Sequence, residues 1–499
     1  MFLWVAAFIM QLPSRSYAAL PLHGGAGRGS SILTLPDAIA LARQQSIEAQ
    51  VALDELRSAY WAYRSYRAEM LPEVSLSASL PTFNKSYSAY QLSDGTYDYV
   101  RSNNVGLNGR ISITQNIWPT GGTLSLSTSL DYLKDGGGRH QFMSVPVALT
   151  LNQPIFGTNY LRWNRRIEPL RYRTAKAEFL SATEDVARSA IRHYFNWLLA
   201  NENVEIYRQN LSNARRLYEV AKAKREMGQI SENDVLQLRL NMLQAESALT
   251  EGISTMRSQD FALKNFLDLP EEDSLRLEVP DSVADIIMNY QDVLDKAQQN
   301  NAFAQRMALY QLESDYSVAL AKGNLRQISL YASVGLTGTS HELGDAYRHT
   351  GDNQVVQVGV SVPLLDWGKR RGRVKVAESN RKVTESRLRE QRSEFRQNIF
   401  ILTEQFNNQL RQLHIAEEAD RIAQRRYHTN VETFLIGKIS TLDLNDAQSA
   451  KDQARIKHIS ELYSYWSYYY QLRSLTLWDF EKNIDINADF EKLIRYEQR

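Results

Sequence analysis

The strongest constraint in this sequence is that it repeats itself. Gly228-Gln-Ile-Ser-Glu-Asn-Asp234 returns 209 residues later as Gly437-Lys-Ile-Ser-Thr-Leu-Asp443, and Pro154-Ile-Phe-Gly157 returns at the same offset as Pro363-Leu-Leu-Asp366. Residues 71–79 (LPEVSLSAS) match 325–333 (LRQISLYAS) at an offset of 254, so the first half carries an insertion of 45 residues between these landmarks. Tandem copies of this kind are one supersecondary unit used twice, each burying a face the other cannot bury alone. A chain of 499 residues, which length alone would divide into about three domains, is therefore expected to divide into two repeats.

Within each repeat the periodicity alternates between two kinds. Trp197, Ala200, Val204, Tyr207, Leu211, Ala214, Tyr218 and Ala221 advance by alternating steps of three and four, the seam of a coiled coil. In the second half Leu413, Ala416, Ala423 and Tyr427 keep that register, with Asp420 standing where Leu211 stood. Beyond the glycine turn, Val235, Leu238, Met242, Ala245 and Leu249 resume it. A helix from about 158 to 227 is on the order of 100 Å long at ~1.5 Å per residue, a length suited to a tube or fibre.

The other period is two. In 124–132, Leu124, Leu126, Thr128, Leu130 and Tyr132 alternate with Ser125, Ser127, Ser129 and Asp131. The same pattern occupies 74–80, 107–117, 145–151, 328–336 and 356–362, giving four strands in the first half and two in the second. About ten residues at ~3.3 Å, tilted by about 45°, cross the ~25 Å apolar band of an outer-membrane barrel. A soluble sandwich alternates in the same way, but here the wet face is serine-rich rather than charged. Trp118-Pro119, Phe156 and Trp367 also cluster where strands end, as in an interfacial aromatic belt, with Tyr132 at the opposite end. The polar stretches 82–104 and 134–141 are expected to be long outer loops and 119–122 a tight inner turn. Six strands close no useful pore, so several chains are expected to share one barrel.

Composition excludes other classes. No run of about 18 apolar residues exists and mean hydropathy is −0.43, which excludes a polytopic helical membrane protein. A net charge of +1 leaves no overall footprint for nucleic acid, and the absence of cysteine removes thiol catalysis, disulfides, cysteine-ligated zinc and a lipid-anchoring cysteine. Residues 1–18 read as a signal peptide: the apolar FLWVAAFIM run is too short to span a bilayer, and Ser16-Tyr-Ala18 offers small residues to a peptidase. Residues 19–31 are expected to be a flexible mature terminus.

With these residues on the page, the chain resembles the TolC-type outer membrane efflux proteins (outer membrane factors) from about 32 to 480. The resemblance rests on the tandem repeat, the Pro-(Ile/Leu)-(Phe/Leu) element closing each β segment, and the paired Gly-x-Ile-Ser-x-x-Asp turns. It implies an α+β, mostly α fold: a long coiled-coil helical barrel continuous with a transmembrane β-barrel, shared between three chains. The first repeat would cover about 32–269, with its β segment at about 72–153 and helical hairpin at about 158–269. The second would cover about 270–480, with β segment 326–363 and hairpin 368–478, before a C-terminal tail 481–499. Members usually contribute four strands per chain; the insertion here raises either an eighteen-stranded barrel or a hairpin outside it.

Functionally the resemblance implies a passive exit duct of a tripartite efflux or type I secretion system. The partners would be two further copies, a periplasmic adaptor protein, an inner-membrane pump and outer-membrane lipid, with a periplasmic helical tunnel and no cofactor. A non-conducting coiled-coil envelope scaffold is the alternative. By motif position Gly228, Gln229, Ile230, Gly437, Lys438 and Ile439 would form the adaptor-contacting tip. Asp234, Asp443 and Asp446 would form the periplasmic constriction, a ring of like charge favouring cations. Ser231-x-x-Asp234 and Ser440-x-x-Asp443 are equally capping-box patterns, in which the aspartate serves its own helix. The arginine that many members place two residues after the turn glycine is Ile439 here, with Lys438 as the neighbouring cation.

Other features point to no chemistry. Histidines such as His193, His414, His428 and His458 show no ligand spacing, and His341-Glu342, near His349, lies between two strands. Gly24-Gly-Ala-Gly27 lacks the lysine and preceding strand of a phosphate loop. Leu462-Tyr-Ser-Tyr-Trp-Ser-Tyr-Tyr-Tyr470 reads as a helix packed all round, and Lys369-Arg-Arg-Gly-Arg373 follows the last strand as a basic run open to headgroups or solvent. No acid/base pair, nucleophile set or metal cluster emerges, so the chain is expected not to be an enzyme.

Overall fold

The computed structural model of the protein describes residues 31–93, 95–272, 275–280, 283–325, 327–361, 365–435, 438–439 and 441–495. The expected signal peptide, residues 19–30 and Gly437 lie outside the described residues. The first half runs β1 (Ser31–Leu33), α1 (Leu35–Gln45), α2 (Ile47–Glu69), β2 (Glu73–Gln91), β3 (Tyr97–Ile117), β4 (Gly122–Asp135), β5 (His140–Phe156), α3 (Tyr160–Glu226) and α4 (Glu232–Phe266). The second runs β6 (Leu275–Leu277), α5 (Tyr290–Asn300), α6 (Ala302–Gly323), β7 (Gln327–Ser340), α7 (Leu343–Arg348), β8 (Thr350–Ser361), α8 (Lys369–Leu435) and α9 (Thr441–Thr476). It closes with β9 (Trp478–Asp479), β10 (Ile484–Asp485) and α10 (Phe490–Arg495).

The repeat is built literally. Helices α3 and α8 are each 67 residues long, and both their starts and their ends are 209 residues apart; α4 and α9 begin at the same offset. Pro169 lies inside α3, removing one backbone hydrogen bond without ending the helix. Of the apolar seam, Trp197, Ala200, Val204, Leu211 and Ala221 are buried on α3, and Leu413 and Ala416 on α8.

Strands β2-β3-β4-β5-β7-β8 form one antiparallel sheet in that order. Register proves the two faces that the alternation implied. Val74, Ile113, Leu126, Leu149 and Val334 stand opposite one another across five strands, and so do Leu124, Leu151, Ala332 and Val356 across four. One residue along, Thr114, Ser125, Thr150 and Ser333 form a hydroxyl row on the other face, bridged at 3.3 Å (Thr114–Ser125) and 3.2 Å (Thr150–Ser333). The apolar row is exposed: Val74 is 69% exposed and Val334 53%.

The ladder slips wherever a proline removes a donor. Shifts fall between Ser79 and Thr82, spanning Pro81, between Ser144 and Val147, spanning Pro146, and between Pro154 and Phe156. Among the described residues β2 and β8 each lack a second neighbour, so one chain makes an open sheet and not a closed barrel.

Two loop assignments need correction. Residues 82–104, expected to be a long outer loop, are mostly strand: β2 and β3 stay paired out to Gln91 and Tyr97 and project past the end of β4. Phe83, Tyr87, Tyr97 and Tyr99 share one face of the paired strands, which suits a pleat despite the polar residues between them. Likewise 134–141 shrinks to a short turn, where Asp135 accepts the N–H of Gly137 and of Arg139 at 2.9 Å each. The 45-residue insertion is thus a hairpin within the sheet rather than outside it.

The chain divides into two compact units. One comprises 1–49, 186–285 and 408–467 and includes the short parallel pair β1·β6. There Tyr194, fully buried, donates to the Glu278 carbonyl at 2.5 Å and accepts its N–H at 3.2 Å, pinning β6 to α3; burial pushes its phenol far above the ordinary range. The other comprises 50–185, 286–407 and 468–499 and holds the six-stranded sheet. Its core includes Arg473, whose guanidinium joins the buried carboxylates of Glu184 (2.9 Å) and Asp479 (2.6 Å).

Candidate functional site

The candidate tip is set by backbone chemistry. Helix α3 ends because Gly228 adopts φ +69°, a left-handed conformation that costs glycine little. The N–H of Gln229 reaches the Lys224 carbonyl at 2.9 Å and that of Gly228 reaches Arg225 at 2.8 Å, the two bonds of a Schellman motif. The second turn repeats the outer bond, Lys438 N–H to Thr433 carbonyl at 3.1 Å, again 209 residues on. Gln229 and Lys438 are exposed, while Ile230 and Ile439 are half-buried. Arg225 and Glu232 pair across the first turn at 2.9 Å. A β-carbon on Gly228 would meet nothing within 4 Å, so Gly228→Ala is expected to cost only backbone strain, about 1 kcal/mol. Hydrogen exchange over 224–235 should accelerate about five-fold, with the rest of α3 unchanged.

The three candidate carboxylates are held differently. Asp234 closes a capping box: its N–H donates to Ser231 Oγ at 3.2 Å, and its Oδ2 accepts the Ser231 N–H (3.1 Å) and O–H (2.7 Å). Those bonds from Ser231 hold its carboxyl below the usual range. Asp443 lies exposed in the first turn of α9, its carbonyl accepting Asn430 Nδ2 at 3.4 Å. Asp446, one turn on and on the same face, takes Arg426 Nη2 at 2.6 Å. The structure therefore brings Asp443 and Asp446 together on α9 and places Asp234 on α4, engaged with its own helix end.

Sequence reasoning missed Arg426. The signal was available: Arg426 and Asp446 are each ten residues from position 436, and an antiparallel helical hairpin pairs residues equidistant from its turn. It also missed a polar ladder between α3 and α9. Arg455 Nε meets Glu202 at 2.9 Å, Lys451 meets Gln209 at 3.1 Å, and Gln448 bonds both Asn213 (2.6 Å) and Asn210. Asp420, which broke the apolar register, is 4% exposed beside this ladder and accepts Gln424 Nε2 at 3.0 Å, with Arg455 and His458 each 3.6 Å away. A buried carboxylate survives here because a guanidinium, an imidazole and an amide surround it. Among the described residues no three histidine, aspartate or glutamate side chains form a metal-binding group, and no helix is long and apolar enough to cross a membrane.

Comparison with known proteins follows this geometry. The family profile described as "Outer membrane efflux protein" matches residues 121–267 and 293–476. No curated protein sequence matches. Among solved structures, the chain is similar to the Campylobacter jejuni CmeC outer membrane channel, with TM-score 0.63, 15% identity, and coverage of 98% of this chain and 97% of that one. It is also similar to the outer membrane protein VceC of Vibrio cholerae, with TM-score 0.61, 14% identity, and coverage of 91% and 97%. The open state of the Neisseria gonorrhoeae MtrE outer membrane channel gives TM-score 0.57, 14% identity and 91% of each chain. At such identities the likeness is one of fold.

Proposed function

Because the chain belongs to the outer membrane efflux protein family, a family of channels and not of enzymes, we propose that it is the passive outer-membrane exit duct of a tripartite efflux or type I secretion system. The observation that carries this reading is the sheet: exposed apolar rows back onto hydroxyl rows, and two 67-residue helices follow the strands. In lipid only a closed barrel satisfies every strand, so the bare edges of β2 and β8 call for neighbouring copies. Three copies of six strands make eighteen, a barrel wide enough for an aqueous channel. The long helices would continue it as a periplasmic tunnel. The turns at Gly228-Gln229-Ile230 and Gly437-Lys438-Ile439 would meet an adaptor that couples the duct to an energised inner-membrane pump.

At the tunnel mouth Asp443 and Asp446, with Asp234 nearby in sequence role, would narrow the lumen and favour cations. The Arg426 partner offsets part of the Asp446 charge. Purified full-length protein is expected to conduct in planar bilayers with a preference for cations. Asp443→Asn with Asp446→Asn should lower the cation-to-anion permeability ratio about two- to five-fold and relieve block by multivalent cations. Unchanged selectivity would reduce the two aspartates to structural groups. Absence of any conductance would instead favour the non-conducting scaffold.

A further inference from the structure

The net charge of +1 conceals a concentration of cations at one place. Residues 160–175, the start of α3, hold five arginines and one carboxylate; residues 365–375, the start of α8, hold five lysines and arginines and one carboxylate. The two carboxylates are already engaged. Glu168 pairs with Arg171 at 2.7 Å, and Asp366 accepts the N–H groups of Gly368 (3.0 Å) and Arg370 (3.1 Å) at the entry to α8. Arg162, Arg166, Arg371 and Arg373 are exposed, and among the described residues none has a carboxylate within 4 Å.

Both basic segments are anchored to the same end of α6. Thr158 donates to the Ala319 carbonyl at 2.7 Å, ahead of α3, and the Arg370 guanidinium donates to the Asn324 carbonyl at 3.1 Å, at the head of α8. Asn159 ties the first segment to the β3–β4 turn through the Trp118 carbonyl at 2.9 Å. Aromatic rings frame the cations: Arg165 lies 4.0 Å over Trp118, Arg166 5.6 Å from Trp163, and Trp367 is 89% exposed beside Lys369. This collar begins within a few residues of Ile117, Phe156 and Ser361, where β3, β5 and β8 end.

We propose that this basic, tryptophan-framed collar binds the phosphate headgroups of anionic phospholipid in the membrane leaflet on the helical side. The proposal rests on the sheet being membrane-spanning as read above. An apolar sheet face that ends at a ring of tryptophan and unpaired arginine matches, in order, acyl chain, interface and anionic headgroup. Guanidinium forks suit phosphate oxygens, and cations beside a charged leaflet act additively.

The test uses the full-length purified protein in detergent micelles with an equimolar mixture of phosphatidylglycerol and phosphatidylethanolamine, with retained lipid read by native mass spectrometry. Wild type is expected to retain phosphatidylglycerol about five-fold or more over phosphatidylethanolamine. The combined Arg162→Gln, Arg166→Gln, Arg371→Gln and Arg373→Gln variant should bring that ratio near one. No preference in wild type, or a preference unchanged in the variant, overturns the proposal. A second reading needs no variant: raising salt from about 50 to about 500 mM should abolish the preference, and persistence would overturn it. Inorganic phosphate at about 10 mM should not displace the lipid; displacement would make the collar a site for free anions. A protein that conducts in bilayers yet shows no lipid preference sinks the collar alone, whereas one that never inserts sinks the channel reading as well.

Discussion

Replacing Leu126 and Leu149 together with arginine is expected to abolish accumulation of the protein in the outer membrane. The two leucines stand opposite each other on β4 and β5, midway along the apolar row that also carries Ile113 and Val334. Each is more than two-fifths exposed, so neither substitution disturbs a packed interior. In water the change is tolerable; on a lipid face near the bilayer midplane each arginine costs about 2–4 kcal/mol. Ser127→Arg is the control. Ser127 lies on the same strand one residue along, opposite Ser112 and Ala148 on the other face, and the change there should leave membrane assembly nearly intact. Membrane fractionation followed by semi-native electrophoresis for a heat-modifiable oligomer reads both. Normal assembly of the leucine double variant would mean that the apolar rows do not face lipid.

Arg473→Ala should be the most destabilising single change outside the sheet. Arg473 is 11% exposed at its side chain and lies between Glu184 (2%) and Asp479 (7%). Asp479 also accepts the Tyr469 hydroxyl at 3.0 Å and the N–H groups of Glu481 and Lys482 at 3.1 Å each. Removing the guanidinium takes the arginine from two buried carboxylates, a loss of about 3–5 kcal/mol. A thermal melt shifted down by about 5 °C or more is the expected readout. Adding Glu184→Gln and Asp479→Asn should recover part of the loss, because two buried negative charges then disappear. If Arg473→Ala melts like wild type, the cluster contributes packing only.

The pH dependence of this cluster has a definite sign. Burial acts to raise the Asp479 pKa, but the Lys482 N–H and the Arg473 and Tyr469 side chains outweigh it and hold the carboxyl below the usual range. A depressed folded-state pKa adds stability that is present above the ordinary carboxylate value and lost as pH falls through the lower folded value. Wild type should therefore lose stability below about pH 4. In Arg473→Ala the deficit relative to wild type should shrink over the same interval, since protonation removes the buried negative charge that the arginine offsets in wild type.

Much of this architecture was legible in the residues. An offset of 209 gave the repetition of α3 in α8, and the end of α3 follows from the left-handed Gly228 and the capping Ser231. Strand faces were equally legible in β4, where leucine and serine alternate without exception between 124 and 127. The reading fails at 82–104, where lysine, asparagine and serine suggest a loop although Phe83, Tyr87, Tyr97 and Tyr99 fall on one face of a pleat. At the candidate site the Asp234 capping box could be written down from Ser231-x-x-Asp234 alone. Arg426 was legible too, from its equal distance to the turn, whereas Glu202 and Gln448 were not, since their partners lie 253 and 235 residues away.

What the sequence determined by itself, then, is what periodicity and local chain termination govern: two repeats, two very long helices, six alternating strands and the glycine turn after α3. Those outcomes follow from side-chain spacing against backbone pitch and from hydrogen bonds a few residues long. Only the tertiary structure decided which strand lies beside which, that the inserted hairpin lies inside the sheet between β2 and β5, and that the cations of α3 and α8 gather at one end of α6. Each of those depends on partners distant in sequence, where loop-closure entropy sets no preference among candidates and only simultaneous packing and register select one.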